Sequence, residues 1–277
     1  MTAPAWVPDG LVAEGTGRCL LVARPQHLPA LVHAGLRDPA TWDRACAAGA
    51  VGGRGRTGKV EVDSRLVLRV KRMRRGGIAR GLWRDHFLGT RRLVANLAVP
   101  LAALQRGVAT VEPIGLLVKR GPLGLRRAWL ATVDVSAAAS LAERLASETP
   151  PAREELERVL SAIRGMHDRG VDHRDLNLGN VLLRSGAAGS EPLVIDLDCA
   201  RLHSGPLPLR SRARALRRLE RSAVKLLGNA PVVSGIDLRR FWYEAYASGD
   251  VALAARLDRA RGWNRVAIAL HRLAWRR

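Results

Sequence analysis

Apolar residues along the chain follow two rhythms, and the rhythm changes near its middle. Between residues 64 and 71 apolar and polar side chains alternate through Leu66, Leu68 and Val70, the period of a half-buried strand. Strands are also predicted over 108–118 and 128–135, joined by a loop of Gly, Pro and Arg. Between the first strand and these two, residues 78–106 carry Leu82, Leu88, Leu93 and Leu97 and predict a helix. From residue 140 onward helical spacing dominates. A first helical stretch covers 140–148, and Pro150-Pro151 then opens a long amphipathic helix over 153–169. Its apolar positions are Leu156, Val159, Leu160, Ile163 and Met166, and Gly170 closes it. The run Leu193-Val194-Ile195 reads as a short buried strand. A third helix spans Leu209–Leu227, and two more helical stretches rich in Trp and Arg close the chain (Trp242, Trp263, Trp275, Arg276, Arg277). Strands followed by helices predict an α+β protein of two lobes, a small β-rich one over 51–135 and a larger helical one over 136–277. Residues 1–50, with short apolar runs among Pro, Gly and small residues, predict a loosely built leader resting on the first lobe.

The chemistry sits where the long helix ends. HRDLNLGN places His173, Arg174 and Asp175 in a row with Asn180 five residues past the aspartate, and Asp196 ends the apolar run sixteen residues further on. This is the catalytic-loop spacing of protein-kinase-like phosphotransferases. Phosphoryl transfer needs one carboxylate to accept the proton of the acceptor hydroxyl, and an amide with a second carboxylate to hold Mg²⁺ against the phosphates. Asp175, Asn180 and Asp196 supply that set in order. Asp and Asn are also ordinary turn residues, but a turn needs neither this register nor the strand that follows it.

Upstream, GGRGRTGKV satisfies GxGxxGxV through Gly53, Gly55, Gly58 and Val60. Glycines let backbone N–H groups approach phosphate oxygens with no side chain in the way. In a chain with 27 glycines the pattern alone is weak, and a flexible Gly/Arg surface turn reads equally well. Lys71, on the strand that follows, stands where a kinase places its phosphate-contacting lysine; Lys59 is the fallback. The helix after it lacks the glutamate that pairs with that lysine in kinases: no Glu occurs between Asp63 and Glu112, and Asn96 or Asp85 would have to substitute. The strand ending near Thr132-Val133-Asp134 would supply the adenine-contacting backbone, with Val133 at its centre. Asp198 is a further candidate for the metal.

Composition changes this picture in one respect. Lys and Arg number 46 against 25 acids, a formal net charge of +21, and only Lys59, Lys71, Lys119 and Lys225 are lysine. Such a field favours an anionic partner. The helix Leu209–Leu227 concentrates it, with Arg210, Arg212, Arg214, Arg217, Arg218, Arg221 and Lys225 around an apolar side built on Leu216, Leu219 and Val224. That pattern suits anionic lipid or phosphate. Cys19, Cys46 and Cys199 are an odd number without metal-type spacing and predict reduced thiols. No secretion signal opens the sequence, and the stretch 93–104, with Asn96 and Pro100, is too short to span a bilayer.

Four phrases carry a resemblance to a known family: RVKRMRRGG (69–77), MHDRGVDHRDLNLGNVLL (166–183), VIDLDCARL (194–202) and LRRLERSAVKL (216–226). Over residues 50–230 the chain resembles the lipopolysaccharide core kinases, the Kdo and heptose kinases of bacterial envelope assembly. The resemblance implies a protein-kinase-like fold, ATP with Mg²⁺, and transfer of the γ-phosphate to a sugar hydroxyl of the lipid A–linked core oligosaccharide. It also implies work at the cytoplasmic face of the inner membrane, attached peripherally to an anionic surface. By position, Asp175 corresponds to the catalytic base, Asn180 and Asp196 to the metal ligands, and Lys71 to the ATP-phosphate lysine. Departures are Asn96 for the helix glutamate, Arg174 for a small residue and Leu197 for an aromatic. Two rival readings stay open: a small-molecule or protein kinase of the same superfamily, and a catalytically silent kinase-fold protein binding anionic lipid or, less favoured, nucleic acid. No Ala-Pro-Glu follows Asp196, which argues against a protein substrate.

Overall fold

The computed structural model describes residues 4–49, 51–52, 55–74, 85–135, 137–186, 189–228, 231–257 and 259–260. The chain divides into two units, one comprising residues 1–102 and 111–135 and the other residues 103–110 and 136–277.

The first unit is built on an antiparallel sheet. Its strands are β1 (Val12–Thr16), β2 (Cys19–Ala23), β3 (Val51–Gly52), β4 (Gly55–Asp63), β5 (Leu66–Arg72), β6 (Phe87–Leu88), β7 (Pro113–Arg120) and β8 (Leu125–Val133). Their spatial order is β1-β2-β7-β8-β5-β4-β3, with β6 pairing β8. Strand alternation sends successive side chains to opposite faces, so each strand serves two cores. On one face Leu21, Leu68, Val70, Leu117 and Trp129 pack with Leu31 of α1 (Leu28–His33) and with Trp42 and Cys46 of α2 (Pro39–Ala48). On the other, Val22, Leu116, Val118 and Leu130 pack with Leu93, Val94 and Leu97 of α3 (Arg91–Gln105). The indole of Trp129 donates to Asp43 Oδ1 at 2.8 Å, which ties α2 to the sheet.

Two sequence expectations change here. Residues 12–48 are no loose leader: β2 pairs β7, and Leu21, Leu31, Leu36 and Trp42 are fully buried. Runs such as Leu20-Leu21-Val22 look slight in isolation because alternate residues fill different cores, Leu21 one and Leu20 and Val22 the other. Nor does a helix run through 78–106. Residues 75–84 lie outside the described residues, Phe87–Leu88 is a strand against Arg126 and Leu125, and Gly89 turns the chain at φ +76° before α3 begins at Arg91. Leu88, counted as apolar-face, is exposed.

The second unit opens with β9 (Ala139–Ser140) and α4 (Leu141–Leu145), the latter held by a capping box in which Ser140 and Glu143 bond reciprocally. The long amphipathic helix is α5 (Arg153–Asp168), with Leu156, Val159, Leu160, Ile163 and Met166 buried as its spacing predicts. It leads into β10 (Val171–Asp172), the hairpin β11 (Val181–Gly186) and β12 (Gly189–Val194), and β13 (Arg201–Leu202). Then follow α6 (Leu209–Leu227), β14 (Val232–Val233), β15 (Ile236–Asp237) and α7 (Leu238–Ala247). Among the described residues no helix is long and apolar enough to cross a membrane.

A polar cluster with a buried histidine and tyrosine at its centre joins α5, α6 and α7. Arg212 donates to Asp168 Oδ1 at 2.5 Å and to the Tyr246 hydroxyl at 3.2 Å. That hydroxyl lies 2.8 Å from His167 Nδ1, and burial pushes the phenol up to about 12, so the two neutral groups share a hydrogen bond. His167 is fully buried, and desolvation, with the nearby charges of Arg212 and His173, brings its pKa down to about 3. Its folded pKa therefore lies below the 6.5 of the unfolded chain. The unfolded state binds the proton first, and stability present above pH 6.5 is lost as pH falls toward 3. The full loss from this residue is on the order of 5 kcal/mol, taking about 1.4 kcal/mol per pKa unit. Chemical denaturation at pH 7 and pH 4 is expected to show this loss in the parent chain and a smaller one in His167→Asn. Equal losses would place the acid sensitivity elsewhere.

Candidate active site

Local geometry in the second unit gathers Asp175, Asn180 and Asp196. Gly170 ends α5 at φ +75°, where a β-carbon would lie 2.6 Å from Gly205 O and 2.7 Å from His203 O, so only glycine lets the chain lie against the segment leaving β13. The loop after β10 is then pinned through His173. Its ring is buried, with Nε2 2.9 Å from Ile195 O and Nδ1 3.3 Å from the backbone nitrogen of Asp175. A carbonyl only accepts and an amide N–H only donates, so Nε2 carries the proton and Nδ1 is bare. Burial lowers the imidazole pKa, which keeps the neutral form this pair of bonds requires. Neutral His173 thus bolts the Asp175 loop to the backbone just before Asp196.

A second set of bonds fixes Asn180. Asn177 and Asn180 both donate from Nδ2 to Asp175 O at 2.9 Å, and Asn177 Oδ1 accepts from Gly179 N at 2.9 Å. Because Asn180 Nδ2 faces a carbonyl, Oδ1 is the atom left to meet a cation. The hairpin returns the chain to the same place: Val181 pairs Val194, and Ile195 N donates to Asn180 O at 2.9 Å. Asp196 is therefore the next residue after one bonded to Asn180. It stands at φ 63°, ψ 48°, a left-handed conformation that Asp and Asn tolerate better than other side-chain-bearing residues. Asp175, Asp196 and Asp198 all lie close enough to His173 to act on its ring electrostatically. Asp175 and Asp196 are exposed, as residues that meet a substrate must be. Two carboxylates and an amide oxygen form a hard-oxygen set that suits Mg²⁺ shared with phosphate oxygens.

The remaining predicted residues belong to the first unit. Lys71 pairs across the ladder with Thr57 and Leu130, on the sheet face that carries α3. Asn96 of α3 is buried, and its side-chain amide donates to Arg92 O at 2.8 Å, a bond within its own helix. Asp85 pairs with Arg72 at 3.4 Å and Arg74 at 3.8 Å. Lys59, the fallback lysine, pairs with Asp134 at 3.0 Å, and Arg69 holds the other oxygen of that carboxylate at 3.2 Å.

The glycine motif resolves into two parts. Gly53 lies outside the described residues, and Gly55 pairs Gly52 at the β3–β4 turn. Gly58 lies beyond the turn, within β4, where a β-carbon would sit 2.0 Å from Ala45 O. Its smallness is required by α2, which crosses the strand there. Val60 and Val133 pack against the core beneath α1 and α2, opposite the Lys71 face. The Val133 N–H is committed to Glu112 O at 2.9 Å, so adenine at that position would have only the Val133 carbonyl to use.

Sequence reasoning overlooked how α6 meets this site. Ser222 Oγ accepts from Leu178 N at 3.2 Å, and Arg218 lies near enough to Asp175 and Asp172 for both to raise its pKa, against a larger opposing effect of burial. Nothing in the motif announces a contact from a helix more than thirty residues downstream.

Two carboxylates and an amide in this register, on a helical unit, in a chain whose other unit is a sheet with a central lysine, match the pattern of a phosphotransferase of the protein-kinase-like class. The comparison with solved structures agrees on the fold. WaaP in complex with acyl carrier protein superposes with a TM-score of 0.51 and 22% identity, covering 87% of this chain and 97% of that one. The model of the lipopolysaccharide kinase (Kdo/WaaP) family matches residues 45–246, and the chain belongs to that family. Its relatives include the 3-deoxy-D-manno-octulosonic acid kinase of Xanthomonas campestris pv. campestris strain B100, 34% identical over 204 residues (71% of this chain, 77% of the relative). The enzyme of the same name from Xanthomonas oryzae pv. oryzae strain PXO99A is 31% identical over 227 residues (79% and 85%). That from Haemophilus influenzae strain PittEE is 29% identical over 159 residues (56% and 64%). The chain is accordingly a lipopolysaccharide core sugar kinase, transferring phosphate to a sugar hydroxyl, and kinases of this kind use ATP.

Proposed function

We propose that the chain phosphorylates a hydroxyl of 3-deoxy-D-manno-octulosonic acid in the lipid A–linked core, with ATP and Mg²⁺. The observation that carries this reading is the Asp175–Asn180–Asp196 cluster held by His173, together with relatives named for that acid. Asp175 orients the acceptor hydroxyl and takes its proton as the new bond forms. Asn180 Oδ1 and the Asp196 carboxylate hold the magnesium ion, which offsets the charge of the transferring phosphoryl group when bound. In the first unit, Lys71 contacts the ATP phosphates, Gly55 of the glycine motif lets the backbone approach them, and the backbone about Val133 borders the adenine. Asp198 is a further oxygen donor toward the metal.

Exposed bases on α6, notably Arg210 and Lys225, favour peripheral attachment to an anionic inner-membrane surface from its cytoplasmic side. The acyl carrier protein seen with WaaP extends the possible partners of this chain to a carrier of acyl groups.

The test is direct. Purified protein with Mg-ATP and a panel of lipid A–core acceptors ending in octulosonic acid or heptose is expected to add one phosphate, read by mass, to the former. Phosphate transfer to heptose alone would correct the acceptor, and transfer to neither would remove the reading.

A further inference from the structure

The basic helix α6 has a division of labour that its sequence does not show. Its buried face is Ala213, Leu216, Leu219, Glu220 and Ala223. Arg212 leaves the outer face for the Asp168–Tyr246 cluster. Arg214, Arg218 and Arg221 recur at i, i+4 and i+7 and therefore form one stripe. The stripe's edge is anchored to the catalytic loop by the bond from Leu178 N to Ser222 Oγ, one turn past Arg218. Arg218 is half-buried, with Arg214 and Arg221 beside it and Asp172 and Asp175 facing it. Among the described residues, no carboxylate lies within salt-bridge distance of Arg214, Arg218 or Arg221, whereas Arg24, Arg37, Arg72, Arg144, Arg153, Arg184, Arg212 and Arg240 each have one. Burial, and after it the like charges of Arg221 and Arg214, lower the Arg218 pKa against the pull of Asp175 and Asp172. An arrangement that costs stability in the free protein is relieved by an anion.

We propose that Arg218, with Arg214 and Arg221, receives the carboxylate of the acceptor sugar acid and so sets which hydroxyl faces Asp175. This rests on the reading of the chain as a kinase of an octulosonic acid, and it concerns the specificity of that site rather than its chemistry. A guanidinium offers two parallel N–H donors to a carboxylate, a match of both charge and shape. Held by that fork, the sugar ring can present few of its hydroxyls to the base next to it. A neutral hexose or heptose gains nothing from the stripe.

The experiment compares Arg214→Gln/Arg218→Gln with a control of equal charge loss, Arg184→Gln/Arg240→Gln, whose residues pair with Glu191 and Glu244 on exposed surface. Equilibrium binding of Kdo–lipid A in detergent is measured for each, and again with the carboxylate of the acceptor esterified. The stripe variant is expected to bind the acid at least about 10-fold more weakly than the parent, the control within about 2-fold, and the ester equally across all three. Mg-ATP affinity is expected to be unchanged. Equal binding of the acid by the stripe variant and the control overturns the inference. So does an equal loss for acid and ester, or a loss seen on anionic vesicles lacking the acceptor, which would assign the stripe to the membrane. Because binding is read without turnover, failure of the kinase reading appears separately, as absence of phosphate transfer by the parent protein.

Discussion

Asp175→Ala is expected to lose at least about 10³-fold in kcat while retaining Mg-ATP binding, since a positioned general base contributes about 10²–10⁴-fold and here also orients the acceptor. The substitution isolates the carboxylate unusually well. The loop is held by the Asp175 backbone, whose nitrogen bonds His173 and whose carbonyl accepts from Asn177 and Asn180. Truncating the side chain leaves those bonds in place, so the variant should melt close to the parent. Turnover equal to the parent's would refute the assigned base. A fall in both turnover and melting temperature would mean the side chain builds the loop.

The second large effect belongs to Asp196. Asp196→Asn keeps a residue tolerant of the left-handed backbone at φ 63° and removes only the negative charge. It is expected to cost about 10²–10³-fold in activity at millimolar Mg²⁺, of the size seen when one electrostatic stabiliser is removed, and to recover in part as Mg²⁺ is raised. An activity loss with an unchanged Mg²⁺ dependence would take Asp196 out of the metal site. Asp196→Ala adds the strain of an unsuitable backbone, about 1 kcal/mol, so the difference between the two melting temperatures separates conformation from charge.

The gathering of Asp175, Asn180 and Asp196 was legible in the sequence because their order along the chain is their order in space. His173, Asp175 and Asn180 occupy one short loop, and a hairpin with a single register, Val181 against Val194, brings Asp196 back beside Asn180. The amphipathic helix that ends at Gly170 was legible for a similar reason, since its burial is decided by its own periodicity. The glycine motif was less so. A pattern match cannot distinguish a glycine that lets a phosphate approach from one that lets a helix approach, and at Gly58 the neighbour is the α2 backbone. Val60 and Val133 likewise matched by spacing and turned out to serve the core under α1 and α2.

Local order in the sequence thus determined the long helices, the strand β5 about Lys71 and the clustering of Asp175, Asn180 and Asp196, because each depends on neighbours within some twenty positions. The tertiary structure decided what depends on distant partners. It made residues 12–48 part of the first unit, since the β1–β2 hairpin finds its hydrogen bonds on β7, roughly a hundred residues away. It also divided α6, turning Arg212 toward Asp168 and Tyr246 and setting Arg218 beside Asp175. Periodicity gives each arginine its place on the helix. Only packing of that helix against the loop about Asp175 fixes which of them pairs with a carboxylate and which stays on the solvent side.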